Sequence, residues 1–447
     1  MADVPPRSLR QRVFKAGGVT AMGYASNQVL RFVSNLILTR LLFPEAFGIV
    51  AIMQAVVIGV TMMSEVGVSQ SIVRGKGGAE PIFINTAWTI QIGKGLVMAL
   101  ALWLASGPVA AAYGQPLLAQ LMPVAALASI ISGFNSTKMA LADRNVDAVR
   151  VTLIDVGSLA AGIASSIVFA WLNPTPWALV WGNVVASTVR VLASHLLLKG
   201  PMNRLAWDTG VARKILSFGA WVLLSSALTF FAGEGNKLVS ATLLDVRLLA
   251  LVGIATTLSG VIWSAVSQMT GRVLFPAYAE VLRADKARFS GVVEKARRAQ
   301  IFPSWCVSVV FALFGSVIVR VLYDTRYEGA GVILQLQSLG LLVGMLNGSF
   351  GGALWAMGRI GLSTWILVAQ IAVQWAFMFA GHLLYGKAGV IVGLAFAGWG
   401  LYPIHALIYA RLGLWHPRTD IPVLIASCIA AVFVGYTLDW HVLAAWH

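Results

Sequence analysis

The chain has 447 residues, 58% of them hydrophobic and only 11% charged, with a mean hydropathy of +0.82. Ordinary soluble domains carry about 25% charged residues, so this composition excludes a soluble protein and specifies a polytopic membrane protein. The net charge of +15 does not point to nucleic acid, because most basic residues fall in alternate loops, where they report topology.

Met1 to Lys15 is polar and arginine-rich with no short apolar core. No cleavable signal peptide is therefore expected, and 1–16 reads as a cytoplasmic tail. The first apolar stretch, Gly17 to Leu42, is long enough to cross a bilayer, which takes about 20 residues. Arg31 lies in its middle, with Gly23, Asn27, Asn35 and Thr39 stepping away in fours, a spacing that makes a stripe on one side of a helix. A charge at mid-membrane costs about 2.5–3.5 kcal/mol on insertion scales and normally faces a bundle interior or a wet cavity. Arg31 reads either as the wall of a polar chamber approached by something anionic, or as a cation paired with a carboxylate on a neighbouring helix.

Twelve further apolar segments follow, near 46–72, 83–112, 115–136, 151–172, 177–198, 215–243, 248–271, 300–323, 330–357, 361–385, 388–410 and 420–439. Basic residues crowd the tail and every second loop: Arg74 and Lys76, Lys138 to Arg150, Lys199 to Lys214, Arg283 to Arg298, Arg359, Arg411 and Arg418. The opposite loops hold only Arg40, Arg247, Arg326 and Lys387. The positive-inside rule then places the N-terminus in the cytoplasm, and thirteen spans put His447 outside. In the longest connection Phe289, Val292 and Val293 space like one helix face beside Lys286, Arg288, Lys295, Arg297 and Arg298. That pattern fits a basic helix on the anionic inner leaflet or a solvated linker.

An internal repeat organises the spans. Ser34 onward, SNLILTRLLFPEAFGIVAIMQ, resembles NKLVSATLLDVRLLALVGIAT from Asn236. Both are a first helix, a tight turn and a second helix. The expected fold is all-α: two pseudo-symmetric six-helix bundles at 17–200 and 215–412, joined by a linker at 201–214. An additional C-terminal transmembrane segment occupies 413–447.

Within the spans, Thr61, Glu65 and Ser69 are four apart, and Lys94, Asp155, Arg190 and His195 follow; Glu234, Asn236 and Lys237 lie in the seventh segment. Lys94, Arg190, Arg272 and Arg320 have stems long enough to snorkel to an interface. Glu65 and Asp155 read as partners of the cations or as sites for a coupling proton or Na+. His195 lacks metal-ligand spacing and reads as a hydrogen-bonded buried residue. Gly340, Gly344, Gly348 and Gly352 form a stripe that suits close helix packing. Cys306 and Cys428 imply neither a disulfide framework nor a metal cluster. No phosphate loop, nucleophile elbow or large external loop is present in the sequence, so an enzyme and a bound cofactor are not expected.

Ser64 to Arg74, SEVGVSQSIVR, resembles the end of the second helix in bacterial polysaccharide transporters. Thr270 to Val281, TGRVLFPAYAEV, is similar to their signature after the eighth helix, and the ninth and tenth segments match as well. The chain is thereby identified as a member of the Wzx-type oligosaccharide flippase family, within the multidrug, oligosaccharidyl-lipid and polysaccharide flippase superfamily. The resemblance implies two six-helix bundles around a central cavity. It also implies translocation of undecaprenyl-pyrophosphate-linked repeat units across the bacterial inner membrane, with no enzymatic step. Lipid-linked oligosaccharide and membrane lipids are the expected partners, with a polysaccharide polymerase and a chain-length regulator as candidates, and the energy source is a Na+ or H+ gradient or the membrane potential. Arg31 and Lys237 are expected to receive the pyrophosphate, with Asn27, Asn35, Asn236, Lys94 and Arg190 as further substrate contacts. Glu65, Asp155 and Glu234 are the candidate ion-coupling groups. Lys237 departs from the family, many of whose members carry an acidic residue there. The alternatives are a multidrug-type antiporter, whose cavity should be rich in carboxylates, and a membrane-embedded polymerase or ligase, which should carry a large external loop.

Overall fold

The computed structural model describes residues 9–74, 78–144, 147–270 and 274–446. Arg7, Lys76 and Arg272, with residues 271–273 of the Thr270–Val281 signature, lie outside them. No strand occurs among the described residues, and the helices gather into two compact units, Met1–Phe230 and Phe231–His447.

The first unit contains α1 (Leu9–Leu41), α2 (Pro44–Met63), α3 (Val68–Arg74), α4 (Pro81–Ala112), α5 (Leu118–Gly133), α6 (Lys138–Arg144), α7 (Ala148–Leu172), α8 (Trp177–Leu196) and α9 (Thr209–Ala232). Pro44 and Pro81 start their helices, where a missing N–H costs nothing. α1 packs along α7, and the crossing needs Gly23, whose absent Cβ would lie 2.1 Å from Thr152 Cγ2.

The expected linker is only partly a linker. Residues 201–208 form no helix, yet their backbone is strapped to the start of α4. Arg204 N–H donates to Asn85 Oδ1 (3.0 Å), Asp208 N–H to Thr86 Oγ1 (3.1 Å), and Ala206 exchanges bonds with the Thr89 hydroxyl (3.2 and 2.9 Å). α9 begins at Thr209, and the division between units falls at Phe230/Phe231 rather than within 201–214.

The second unit contains α10 (Glu234–Leu243), α11 (Val246–Met269), α12 (Phe275–Ala284), α13 (Phe289–Leu322), α14 (Gly329–Gly348), α15 (Gly351–Ala356), α16 (Ile360–Arg411), α17 (Pro417–Thr437) and α18 (Trp440–Ala444). The repeat is visible in the helix ends: at an offset of 202, Leu41 maps onto Leu243 and Pro44 onto Val246, so both turns coincide. Arg31 then maps onto Gly233, where the backbone is non-helical (φ −106°, ψ −85°). Lys237 maps onto Asn35, one turn further on than its expected counterpart.

Among the described residues, each of the thirteen apolar segments lies mainly on helix, with breaks at 64–67, 134–137, 233 and 349–350. Eight helices among the described residues are long and apolar enough to span a membrane, nine if bent α5 and α6 make one span. The lower number has visible sources. α16 holds two segments, divided by a hairpin at Tyr385 and Gly386 (φ 57°). α1 and α8, which carry Arg31 and Arg190, are too polar to count, and α9 is not among the eight either.

The basic helix expected at 285–298 is a correction. It is not a free linker: after a 3-10 turn at Lys286–Arg288 it begins α13, which continues unbroken into the ninth span, and its apolar face packs against protein. Phe289 and Val293 are buried beside Tyr278, Phe350 and Tyr409. Arg297 is fully buried: Nη2 donates to Asp420 Oδ1 (2.9 Å), Nε to Ser349 Oγ (2.9 Å), and the guanidinium lies 3.5 Å over the Phe350 ring. Tyr402 Oη donates to the other Asp420 oxygen (3.0 Å), and Phe350 stacks on Tyr409 at 3.7 Å. One buried ion pair thus ties α13, α16 and α17 together.

The glycine stripe is a packing device at three of its four positions. An added Cβ would lie 1.9 Å from Ala395 O at Gly340, 2.8 Å from Trp263 at Gly348 and 3.1 Å from Thr270 at Gly352. At Gly344 it would meet nothing within 4 Å. The chain then ends where α14 begins, since a Cβ on Gly329 would touch the Trp446 ring at 3.0 Å. α17 therefore runs from the Leu412–His416 loop to the end that carries the Asp324 turn, as a thirteenth span requires.

Candidate functional site

The first unit holds a partly open polar chamber of about 250 Å³, lined by Glu65, Lys94, Arg190, Gln91 and Asn135, among others. Two helix interruptions build it. α2 ends at Met63, and the chain turns through Ser64–Gly67 before α3. Gly67 takes φ 65°, a conformation open to glycine at little cost. Glu65 folds back into this turn: one carboxylate oxygen accepts from Gly67 N–H (3.2 Å) and the other from Lys94 Nζ (2.6 Å). This is the physical content of the Ser64–Arg74 signature. The acid seals a broken helix and fixes the lysine of α4.

The second interruption separates α5 from α6 by a 58° bend. Broken backbone at membrane depth persists only where protein or a cavity satisfies it, and here α4 and α8 do so. Gln91 donates to Gly133 O (3.1 Å) and Asn135 O (2.9 Å), and Ser136 N–H donates to Ser194 Oγ (3.0 Å). His195 Nε2 bonds Phe134 O at 2.9 Å, so this histidine holds backbone. α4 approaches α5 at Gly95, where a Cβ would sit 2.8 Å from Ser129 O.

Of the two readings left open for the carboxylates, the structure shows pairing with the cations. Lys94 is ion-paired with Glu65, Arg190 with Asp155 (2.8 Å) across α8 and α7, and Lys237 with Glu234 (2.8 Å) one turn back on α10. Three proposed substrate cations have therefore found the three candidate coupling carboxylates. Thr61, Glu65 and Ser69 do not share a helix face, because α2 stops between them, yet all three line the chamber. Asn236 is engaged at both ends of its amide, donating to Gln374 Oε1 (2.8 Å) and accepting from Trp375 Nε1 (2.9 Å). Sequence reasoning missed Gln91 and Asn135. The signal available was a second polar residue one turn before Lys94 in an apolar span.

Arg31 stands apart. It is exposed, ten residues or about 15 Å short of the end of α1, and makes no ion pair or hydrogen bond among the described residues. Asn27 Oδ1 is likewise without a partner among them, and Asn35 O accepts from Thr39 Oγ1 (2.9 Å). These α1 residues do not line the chamber, and Lys237, Glu234 and Asn236 belong to the second unit. At about 250 Å³ the chamber is smaller than pockets that enclose drug-sized ligands, roughly 300–1,000 Å³. It has room for an ion, waters or one headgroup.

A family model described as "Polysaccharide biosynthesis protein" matches residues 37–331. The lipopolysaccharide biosynthesis protein WzxC of Escherichia coli (strain K12) is 22% identical over 398 residues, covering 86% of this chain and 78% of its own. An uncharacterized membrane protein in the cps region of Klebsiella pneumoniae is 20% identical over 389 residues, covering 86% and 80%. Among solved structures, the lipid II flippase MurJ in an inward closed conformation superposes with a TM-score of 0.72 at 12% identity, covering 94% of this chain and 92% of its own. An inward-facing multidrug resistance MATE family transporter gives 0.68 at 17% identity, covering 87% and 94%. Both structural likenesses bear on the fold.

Proposed function

The chain belongs to the polysaccharide biosynthesis protein family, and from that membership we propose that it is a flippase for undecaprenyl-pyrophosphate-linked oligosaccharide repeat units. It carries them from the inner to the outer leaflet of the bacterial inner membrane by alternating access, for exopolysaccharide, capsule or O-antigen assembly. Its N-terminus is cytoplasmic, and it works without enzymatic chemistry or a bound cofactor. The relative named WzxC and the lipid flippase among its structural neighbours support this reading.

The observation that carries it is Arg31, an exposed guanidinium far inside a long helix and without a partner among the described residues. Such a charge needs water or an anion, and a fork of N–H donors suits a pyrophosphate better than a point charge does. Arg31 takes the pyrophosphate, with Asn27 and Asn35 on the same helix as its neutral companions. Lys94, Arg190, Lys237 and Asn236 contribute only as their present partners release them.

The pairing also bears on energy. A proton or Na+ at Glu65, Asp155 or Glu234 must displace an ammonium or guanidinium already in contact. The membrane potential has no such competitor. With the cytoplasm negative it drives an anionic cargo outward, by about 2.3 kcal/mol per charge for each 100 mV. The membrane potential is therefore the proposed source.

Deleting the gene tests the assignment. The expected result is loss of surface polysaccharide together with accumulation of its complete lipid-linked repeat unit on the inner leaflet. Normal surface polysaccharide, or a block before the repeat unit is complete, would contradict it.

A further inference from the structure

The surface of the second unit carries a groove between α13 and α17 of about 480 Å³ that the cargo reading does not use. Ile301, Phe302 and Trp305 form one side, Pro422, Val423 and Ala426 the other, and the lining is almost wholly apolar. The Trp305 indole donates to Ser427 Oγ (3.0 Å), which turns its polar edge into the protein and leaves its ring to the groove. One end alone is polar, and there Arg298, Arg418 and Thr419 meet. It is the end where loop charge is concentrated, with Lys295 and Arg411 close by in sequence.

The two arginines differ in commitment. Arg298 is held by Thr419 Oγ1 through Nε (2.9 Å) and by Glu294 through Nη2. Arg418 is exposed and makes no ion pair or hydrogen bond among the described residues. With Glu294 neutralising one arginine, the rim retains a net positive charge at the mouth of an apolar trough. Charge at one end and hydrocarbon along the length is the pattern of a phospholipid: basic pockets between spans on the cytoplasmic side hold anionic headgroups.

We propose that this groove binds one anionic phospholipid of the inner leaflet, its phosphate at Arg418 and Arg298 and an acyl chain along Ile301, Phe302, Trp305 and Val423. The lipid staples α17 to α13, the two helices that the buried Arg297–Asp420 pair also joins. The proposal rests on the chain being a membrane protein and is independent of the cargo.

The test is thermal unfolding and native mass spectrometry of the full-length protein in neutral detergent, with phosphatidylglycerol or phosphatidylcholine added. Phosphatidylglycerol is expected to raise the midpoint and to leave one retained lipid, and phosphatidylcholine to do neither. Arg418→Gln, at an exposed site with no partner among the described residues, should weaken phosphatidylglycerol binding about tenfold or more, the scale of one charge-assisted contact. Ala426→Phe, which fills the trough and leaves the rim charge, should also displace the lipid. Equal binding of phosphatidylcholine would overturn the proposal, as would full binding by both variants. Stabilisation by inorganic phosphate alone would show an anion site without a lipid, and selective retention of undecaprenyl phosphate would make the groove a cargo subsite; either outcome would also overturn it.

Discussion

Replacing Arg31 by alanine cuts export roughly ten- to a hundredfold while the protein remains inserted at normal abundance. The size follows from losing a hydrogen-bonded contact to a charged group, worth about 1.5–3 kcal/mol, where each 1.4 kcal/mol is a factor of about ten. Arg31 is exposed and holds no described partner, so its removal strands no buried carboxylate and the fold should not notice. Arg31→Lys should fall between wild type and alanine, since it keeps the charge and loses the planar fork. Surface polysaccharide per molecule of membrane-inserted protein is the readout. If Arg31→Ala instead depletes the protein, and a second substitution at a carboxylate restores it, Arg31 is half of a structural pair and not a cargo contact.

The opposite pattern is expected at Asp420. Asp420→Ala leaves Arg297 without its counter-charge in a site that is 0% exposed on both sides. Breaking one side of a buried pair costs about 3–5 kcal/mol, a large part of the roughly 5–15 kcal/mol that holds a typical domain together. The variant should be nearly absent from the membrane, or should melt far below wild type in detergent. The double substitution Arg297→Met with Asp420→Leu should recover much of that loss, because replacing both charges by apolar groups of similar size is often neutral. A single variant that melts like wild type would show that water reaches the pair.

The helix positions, the hairpin within 361–410 and the repeat were legible because they depend on apolar runs, glycine and proline, which act locally. The cations were legible as buried polarity and Glu65 and Asp155 as candidate partners, but not which cation each carboxylate meets. Lys94 meets a carboxylate 29 residues away and Arg190 one 35 residues away, and spacing along one chain does not report contact between helices. Glu65 misled for a second reason: its fours pattern with Thr61 and Ser69 assumes a helix that in fact stops at Met63, before the Ser64–Gly67 turn. Arg297 was the least legible residue. It sits in a run of basic residues whose other members, Lys295 and Arg298, are exposed, and only Asp420, far along the chain, makes its burial possible.

Movement of the cargo itself is the most direct measurement. The purified protein is reconstituted in vesicles with a fluorescent undecaprenyl-pyrophosphate-linked oligosaccharide in both leaflets, and an impermeant quencher added outside reports how fast the inner pool becomes accessible. The expected result is rapid exchange that an imposed membrane potential biases in direction and that Arg31→Ala slows. An inner pool that stays protected as long as in protein-free vesicles would contradict the assignment.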